Sequence, residues 1–164
     1  MPNICEFEML IKGSADNLKK ANEIINADYE YDENGLKSCN ADFHVCRTWP
    51  CTDLENELDF ESGSIKIYGD CAWSVSTCMF EQGYYKDLKD RSNSRVTTIP
   101  IMCEMYDLDF EIYSKEYGMC FQEHYIVRKG EIELDECVEF STEYIEGTDE
   151  YISVGGFKEW PFSI

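Results

Sequence analysis

Carboxylates at alternate positions are the first residues in this chain with the types and spacing to do chemistry. In "GEIELDECVEF", residues 130–140, Glu131, Glu133, Asp135 and Glu139 alternate with Ile132, Leu134, Val138 and Phe140. On an extended strand, alternate side chains share a face about 6.6–6.8 Å apart. Glu131, Glu133 and Asp135 then form a regular line of negative charge, with Glu139 farther along the same side. Asp109 and Glu111 belong to a neighbouring run of the same kind, and Glu104, Asp107, Glu136, Glu143, Glu146, Asp149 and Glu150 crowd the flanks. Such a row is either a solvated face or a surface that imitates nucleic-acid phosphate and occupies a basic groove on a partner protein. A second set, Cys39, His44, Cys46 and Cys51, has the thiolate and imidazole ligands zinc prefers, but not the tight two-to-four-residue knuckle of structural sites. Buried thiols and a surface histidine are the simpler expectation. A third set lies in "CFQEHY". Glu123 falls on the apolar side of its strand with Phe121, Tyr125 and Val127, where a carboxyl needs a hydrogen-bond partner or a raised pKa. A small enzyme would use Glu123 with His124 or a nearby cysteine such as Cys120. A structural carboxylate bonded to a tyrosine or to backbone is the competing expectation. "SVGGF" lacks the spacing of a phosphate cradle, and Asp28, Asp32, Glu33 and Asn34 do not make a calcium loop. No cofactor is expected.

Charge narrows the function classes. The 164 residues include 34 acidic and 14 basic side chains, formally −20, with a pI near 4.3. This balance repels nucleic acid and anionic membrane and attracts basic surfaces. The nearest basic stretch, Lys86, Lys89, Arg91 and Arg95, is diluted by Asp87 and Asp90, so direct nucleic-acid binding is not expected. At 43% hydrophobic and 14% aromatic the composition excludes wholesale disorder. No apolar run suits a membrane span, and "MPNICEFEML" lacks the pattern of a signal peptide. A cytoplasmic protein is expected. Nine cysteines, an odd count without a C-x-x-C pair, then read as reduced thiols serving as small hydrophobes.

The elements that must position these residues read as follows. "ICEFEMLIKG" alternates as a first strand, with Cys5, Phe7, Met9 and Ile11 on one face. Ser14 caps a following helix whose apolar stripe is Leu18, Ala21, Ile24 and Ile25. Residues 28–62 read as an irregular excursion containing an Asn34-Gly35 hairpin turn. "GSIKIYGDCAWSVST" returns to strand with a turn near Gly69-Asp70. "TCMFEQGYYKDLKDRSN" is helical in part, and "TTIPIMCEMYD" is a short helix entered through Pro100. Three strand-like runs punctuated by Gly118 and Lys129-Gly130 follow, as an antiparallel meander. The tail supplies an edge strand or tucks Trp160 and Phe162 against the body. This order predicts a single α+β domain over residues 1–164, of ferredoxin-like kind, its helices packed on one face of an antiparallel sheet.

Together these segments resemble the YubB-like ferredoxin-fold proteins of phages and plasmids. "MPNICEFEMLIKG" is similar to their opening, with Ile4 where an aromatic is usual. "IPIMCEMYDLDFEIYSKEYGMCFQEHYIVRKGEI" is similar to their later module, carrying S-x-E-x-G (Ser114, Glu116, Gly118), F-x-E-x-Y (Phe121, Glu123, Tyr125) and a Gly turn (Gly130). The resemblance spans about a third of the chain in short pieces and omits residues 28–62. It implies a ferredoxin-like fold and a mobile-element origin, and no catalytic residues. Combined with the charge, the expectation is a binding protein. It would occupy a basic surface of a host nucleic-acid-handling defence enzyme, of restriction or CRISPR type, with exposed Tyr84, Tyr85, Tyr113 or Trp160 as anchors. A non-catalytic assembly subunit and the small enzyme built on Glu123 are the alternatives.

Overall fold

Cys5, Phe7, Met9 and Ile11 point to one side of the first strand, and that side organises the fold. The structure is a computed structural model that describes residues 3–51, 57–80 and 95–157. In chain order the elements are β1 (Ile4–Lys12), α1 (Ala15–Ile25), β2 (Tyr29–Asp32), β3 (Gly35–Cys39), β4 (Thr48–Pro50) and β5 (Ser64–Ala72). They continue with α2 (Ile99–Tyr106), β6 (Asp109–Glu116), β7 (Phe121–Arg128), β8 (Glu131–Tyr144) and β9 (Tyr151–Gly155). A 3₁₀ turn at Phe60–Ser62 and a π-helical turn at Ser76–Phe80 flank β5. Among the described residues no helix is long and apolar enough to cross a membrane.

The seven main strands lie in the order β4-β5-β1-β6-β7-β8-β9, each pair antiparallel, and β2 and β3 form a separate hairpin. The chain is thus mixed α+β, and β6-β7-β8 is the meander expected from the short turns. At the β7–β8 turn, Lys129 and Gly130 both adopt positive φ (52° and 79°), the backbone that a two-residue hairpin loop demands.

Register aligns the core. Ile65, Ile11, Phe110 and Val127 lie side by side across β5, β1, β6 and β7, and Ile67, Met9, Ile112 and Tyr125 form the next row. Leu18, Ala21, Ile24 and Ile25 of α1 and Ile99, Met102 and Cys103 of α2 complete this buried cluster. Each large aliphatic or aromatic side chain buried there contributes about 1.5–3 kcal/mol. Ser14 caps α1 as its sequence position requires, accepting from the Asn17 N–H at 3.4 Å. Farther along the same face the rows turn polar: Gly69, Phe7, Ser114 and Glu123, then Cys71, Cys5, Glu116 and Phe121.

Two local expectations change. The chain does not turn at Gly69-Asp70; β5 runs through to Ala72. Gly69 is there because β4 crosses it closely: an added Cβ would come within 2.6 Å of both Pro50 Cα and Trp49 O. Residues 28–62 are also more regular than expected, holding the β2–β3 hairpin and the edge strand β4. Of the expected partial helix at 77–93, Thr77–Phe80 lie in the π-helical turn, while the rest falls outside the described residues, as do Lys86, Lys89, Arg91, Tyr84, Tyr85, Trp160 and Phe162.

Candidate functional site: an acidic hairpin and its base

Among the described residues β8 is the longest strand, at 14 residues, and two different partners share it. Glu131–Glu139 pair with β7, and Phe140–Tyr144 pair with β9. Every acid from Glu131 to Glu150 is exposed: Glu131, Glu133, Asp135, Glu136, Glu139, Glu143, Glu146, Asp149 and Glu150. No lysine or arginine occurs between residues 131 and 157.

The row itself is broken. Val127 faces Ile132 while Ile126 faces Leu134, so Glu133 is the extra residue of a β-bulge. Past the bulge the alternation changes sides. Asp135, Cys137 and Glu139 stand beside Tyr125, Glu123 and Phe121, whereas Glu131 stands beside Arg128 on the opposite face. Glu133 is held by Arg128 Nη1 at 2.8 Å. Alternation in the sequence put Ile132 and Leu134 on one side; the bulge separates them, leaving Ile132 exposed and its neighbour half-buried. Acids therefore project from both faces of β8. Burial, followed by Glu123, Asp135 and Glu139, raises the Cys137 thiol above its ordinary pKa.

Asp109, at the start of β6, is partly exposed. Glu111 was expected in the same acidic surface, and the structure corrects this: it is fully buried, with Oε1 2.8 Å from His124 Nε2. Its strand is central, flanked by β1 and β7, and the His124 ring stacks on Tyr113 at 3.9 Å. Phe157 meets both rings edge-on, with centroids at 6.0 Å. Tyr113 is likewise buried and is no exposed anchor; burial, then Glu111 and Glu136, raises its phenol pKa. The exposed aromatics of this region are Tyr144 and Tyr151, a cross-strand pair 5.2 Å apart near the hairpin tip.

Glu123 is buried, and its carboxylate accepts from Val75 N–H (2.9 Å), Ser76 N–H (3.1 Å) and Ser114 Oγ–H (2.6 Å). It thereby caps the π-helical turn that follows β5, the structural use expected of a buried carboxyl here. His124 lies on the other face of β7, so the pair Glu123 and His124 is not brought together. Cys120, at the turn before β7, donates to Tyr117 O at 3.3 Å. Glu116 holds the same turn by accepting from the N–H groups of Gly118, at 2.8 Å, and Met119. Within these motifs Glu116 thus holds a local turn, while Glu123 ties β7 to a turn 47 and 48 residues away.

Cys39, His44, Cys46 and Cys51 are not gathered into a ligand set. Among the described residues no three His, Cys, Asp or Glu side chains are arranged to hold a metal ion. His44, expected at the surface, is fully buried, stacked on Tyr29 at 3.8 Å, with Nε2 2.8 Å from Tyr31 Oη. Burial depresses its pKa to about 4, keeping the imidazole neutral. Cys46 lies 3.9 Å from Tyr29 Oη, Cys39 ends β3, and Cys51 lines a separate pocket.

How the hairpin is held has no local signature in the sequence. Lys115 of β6 donates to Ser153 Oγ at 2.8 Å and sits over the rings of Phe140 (4.6 Å) and Tyr117 (4.8 Å). Gln122 Oε1 accepts from Phe157 N–H at 2.7 Å. Both contacts join residues far apart in sequence, so no local pattern announces them. A pocket of about 520 Å³ opens on the same face between β1, β5 and β6, lined by Glu6, Glu8, Tyr68, Asp70, Lys115 and Tyr117. Burial raises the Glu8 carboxyl pKa there, with Lys66 opposing. No protein-family model, curated protein or solved structure matches the chain.

Proposed function

We propose that this chain is a protein-binding module whose β8–β9 hairpin docks on a basic surface of a partner protein. In its sharpest form the partner is a nucleic-acid-handling enzyme whose basic groove the hairpin occupies and blocks. The ferredoxin-like kinship and mobile-element origin implied by the resemblance belong to the same proposal. The observation that carries it is the exposure of nine acids over Glu131–Glu150 with no basic residue as far as 157. Solubility needs far fewer charges, and concentrating like charge costs stability through repulsion. At physiological salt the field extends about 8 Å, enough to steer a basic partner during approach.

The test is capture of partners from bacterial lysate on the immobilised chain, with elution by a salt gradient and competition by duplex DNA. A basic nucleic-acid enzyme released at moderate salt, displaced by DNA and inhibited by the chain is the expected result. The triple variant Glu143→Gln, Glu146→Gln, Asp149→Asn, which neutralises acids of the hairpin itself, should hold it at least tenfold more weakly, because losing even one close charge pair costs about 1.5 kcal/mol. Equal retention by wild type and variant, with no competition by DNA, would remove the acidic hairpin from the interaction.

A further inference from the structure

Resting on the acidic-surface reading, one feature of β9 specifies how the partner would attach. β9 closes one edge of the seven-stranded sheet, and among the described residues nothing pairs with its outer side. The Ile145 N–H donates to Glu150 O at 3.0 Å where the hairpin turns. Antiparallel pairing alternates from that point, so Tyr151, Ser153 and Gly155 direct their N–H and C=O groups away from β8. Consistent with this, the Phe140 N–H points the other way, to Cys120 O.

Exposed edges are ordinarily blunted by lysine, proline or an inward charge. "YISVG" carries none of these, in a chain where 29% of residues are charged. Its side chains are exposed on both faces, with Tyr151 at 69%, Ile152 at 47% and Val154 at 39%. The surrounding charge decides what can use this edge. Glu143 stands beside Ile152 in the register, and Glu146, Asp149 and Glu150 crowd the turn. A second copy of a chain bearing −20 would bring those acids against their like.

We propose that the outer edge of β9 accepts an extended basic segment of the partner as an additional strand. Backbone hydrogen bonds to Tyr151, Ser153 and Gly155 would supply affinity, and lysine or arginine at alternate positions would supply specificity. Strands lie about 4.8 Å apart, so a basic side chain opposite Ile152 covers that residue with its alkyl stem. Its head then reaches Glu143, two strands away across roughly 10 Å.

The probe is a capped eight-residue peptide of alternating Lys and Val, compared with the same peptide carrying Pro at its two central Val positions. Binding is read by fluorescence anisotropy and by amide NMR shifts at low salt. The alternating peptide should bind at least tenfold more tightly than the Pro peptide and shift the Tyr151, Ser153 and Gly155 amides. Ser153→Pro, which removes an outward N–H, should erase that preference. The wild-type amide shifts test strand addition even where this variant disturbs the hairpin. Equal binding of both peptides without those shifts would overturn strand addition and leave the acidic surface standing. Binding of neither peptide would overturn both readings.

Discussion

Glu123 and His44 show how single buried polar groups are fitted into this core. Glu123 satisfies two backbone N–H groups and a hydroxyl, so Glu123→Ala leaves those donors unpaired as well as removing their acceptor. A loss of about 3 kcal/mol is expected in urea unfolding, with Glu123→Gln losing less because it keeps an acceptor oxygen. A loss below about 0.5 kcal/mol would show that the π-helical turn stands without its cap. His44 makes stability depend on pH in one direction. Its folded pKa, about 4, lies below the ordinary 6.5, so the unfolded chain takes up this proton first as pH falls. Its stabilising contribution is therefore full above pH 6.5 and is lost between 6.5 and 4, by about 3 kcal/mol at most. His44→Phe keeps the stack on Tyr29 and should remove this component of the slope, measured by denaturation across that range. The apolar company of Glu123 was legible from alternation along β7, and so was its need for a partner. The donors at Val75 and Ser76 were not, since they sit 48 and 47 residues away.

Among the elements, β8 departs most from its sequence pattern. Alternation of Glu131, Glu133, Asp135 and Glu139 with apolar residues reads as one acidic side, but one bulged residue changes the side of everything after it. Bulges come from pairing with a neighbouring strand, and β8 alone does not contain that information. β9 depends on Lys115, which joins it to β6 and rests on two rings. Lys115→Met should raise amide exchange of Ile152 and Val154, the β9 residues whose N–H groups face β8, roughly tenfold while β6 and β7 stay protected, as expected when an ammonium–ring pair worth on the order of 1 kcal/mol is lost. Uniform exchange across all three strands in that variant would mean that β9 is not an independently loosened unit. By contrast, β1, α1, α2 and the Lys129-Gly130 turn follow from local signals, because periodicity, caps and turn chemistry are short-range.

At the scale of the whole molecule, charge dominates. With −20 spread over 164 residues, mutual repulsion opposes the folded state and salt relieves it. Raising sodium chloride from 10 to 300 mM should increase Tm by several degrees at pH 7, read by calorimetry; a Tm independent of salt would show that the acids are too dispersed to repel. The same screening should weaken docking of a basic partner, so stability and binding move oppositely with salt. What the sequence by itself determined was the balance of charge, the α+β class and the order of its clearest elements, since these depend on composition and on residues close along the chain. Only the tertiary structure decided which acids are exposed. Glu111 is buried against His124, and Glu123 went to cap a distant turn. Burial depends on which strand lies beside which, and strand neighbours are set by long-range packing.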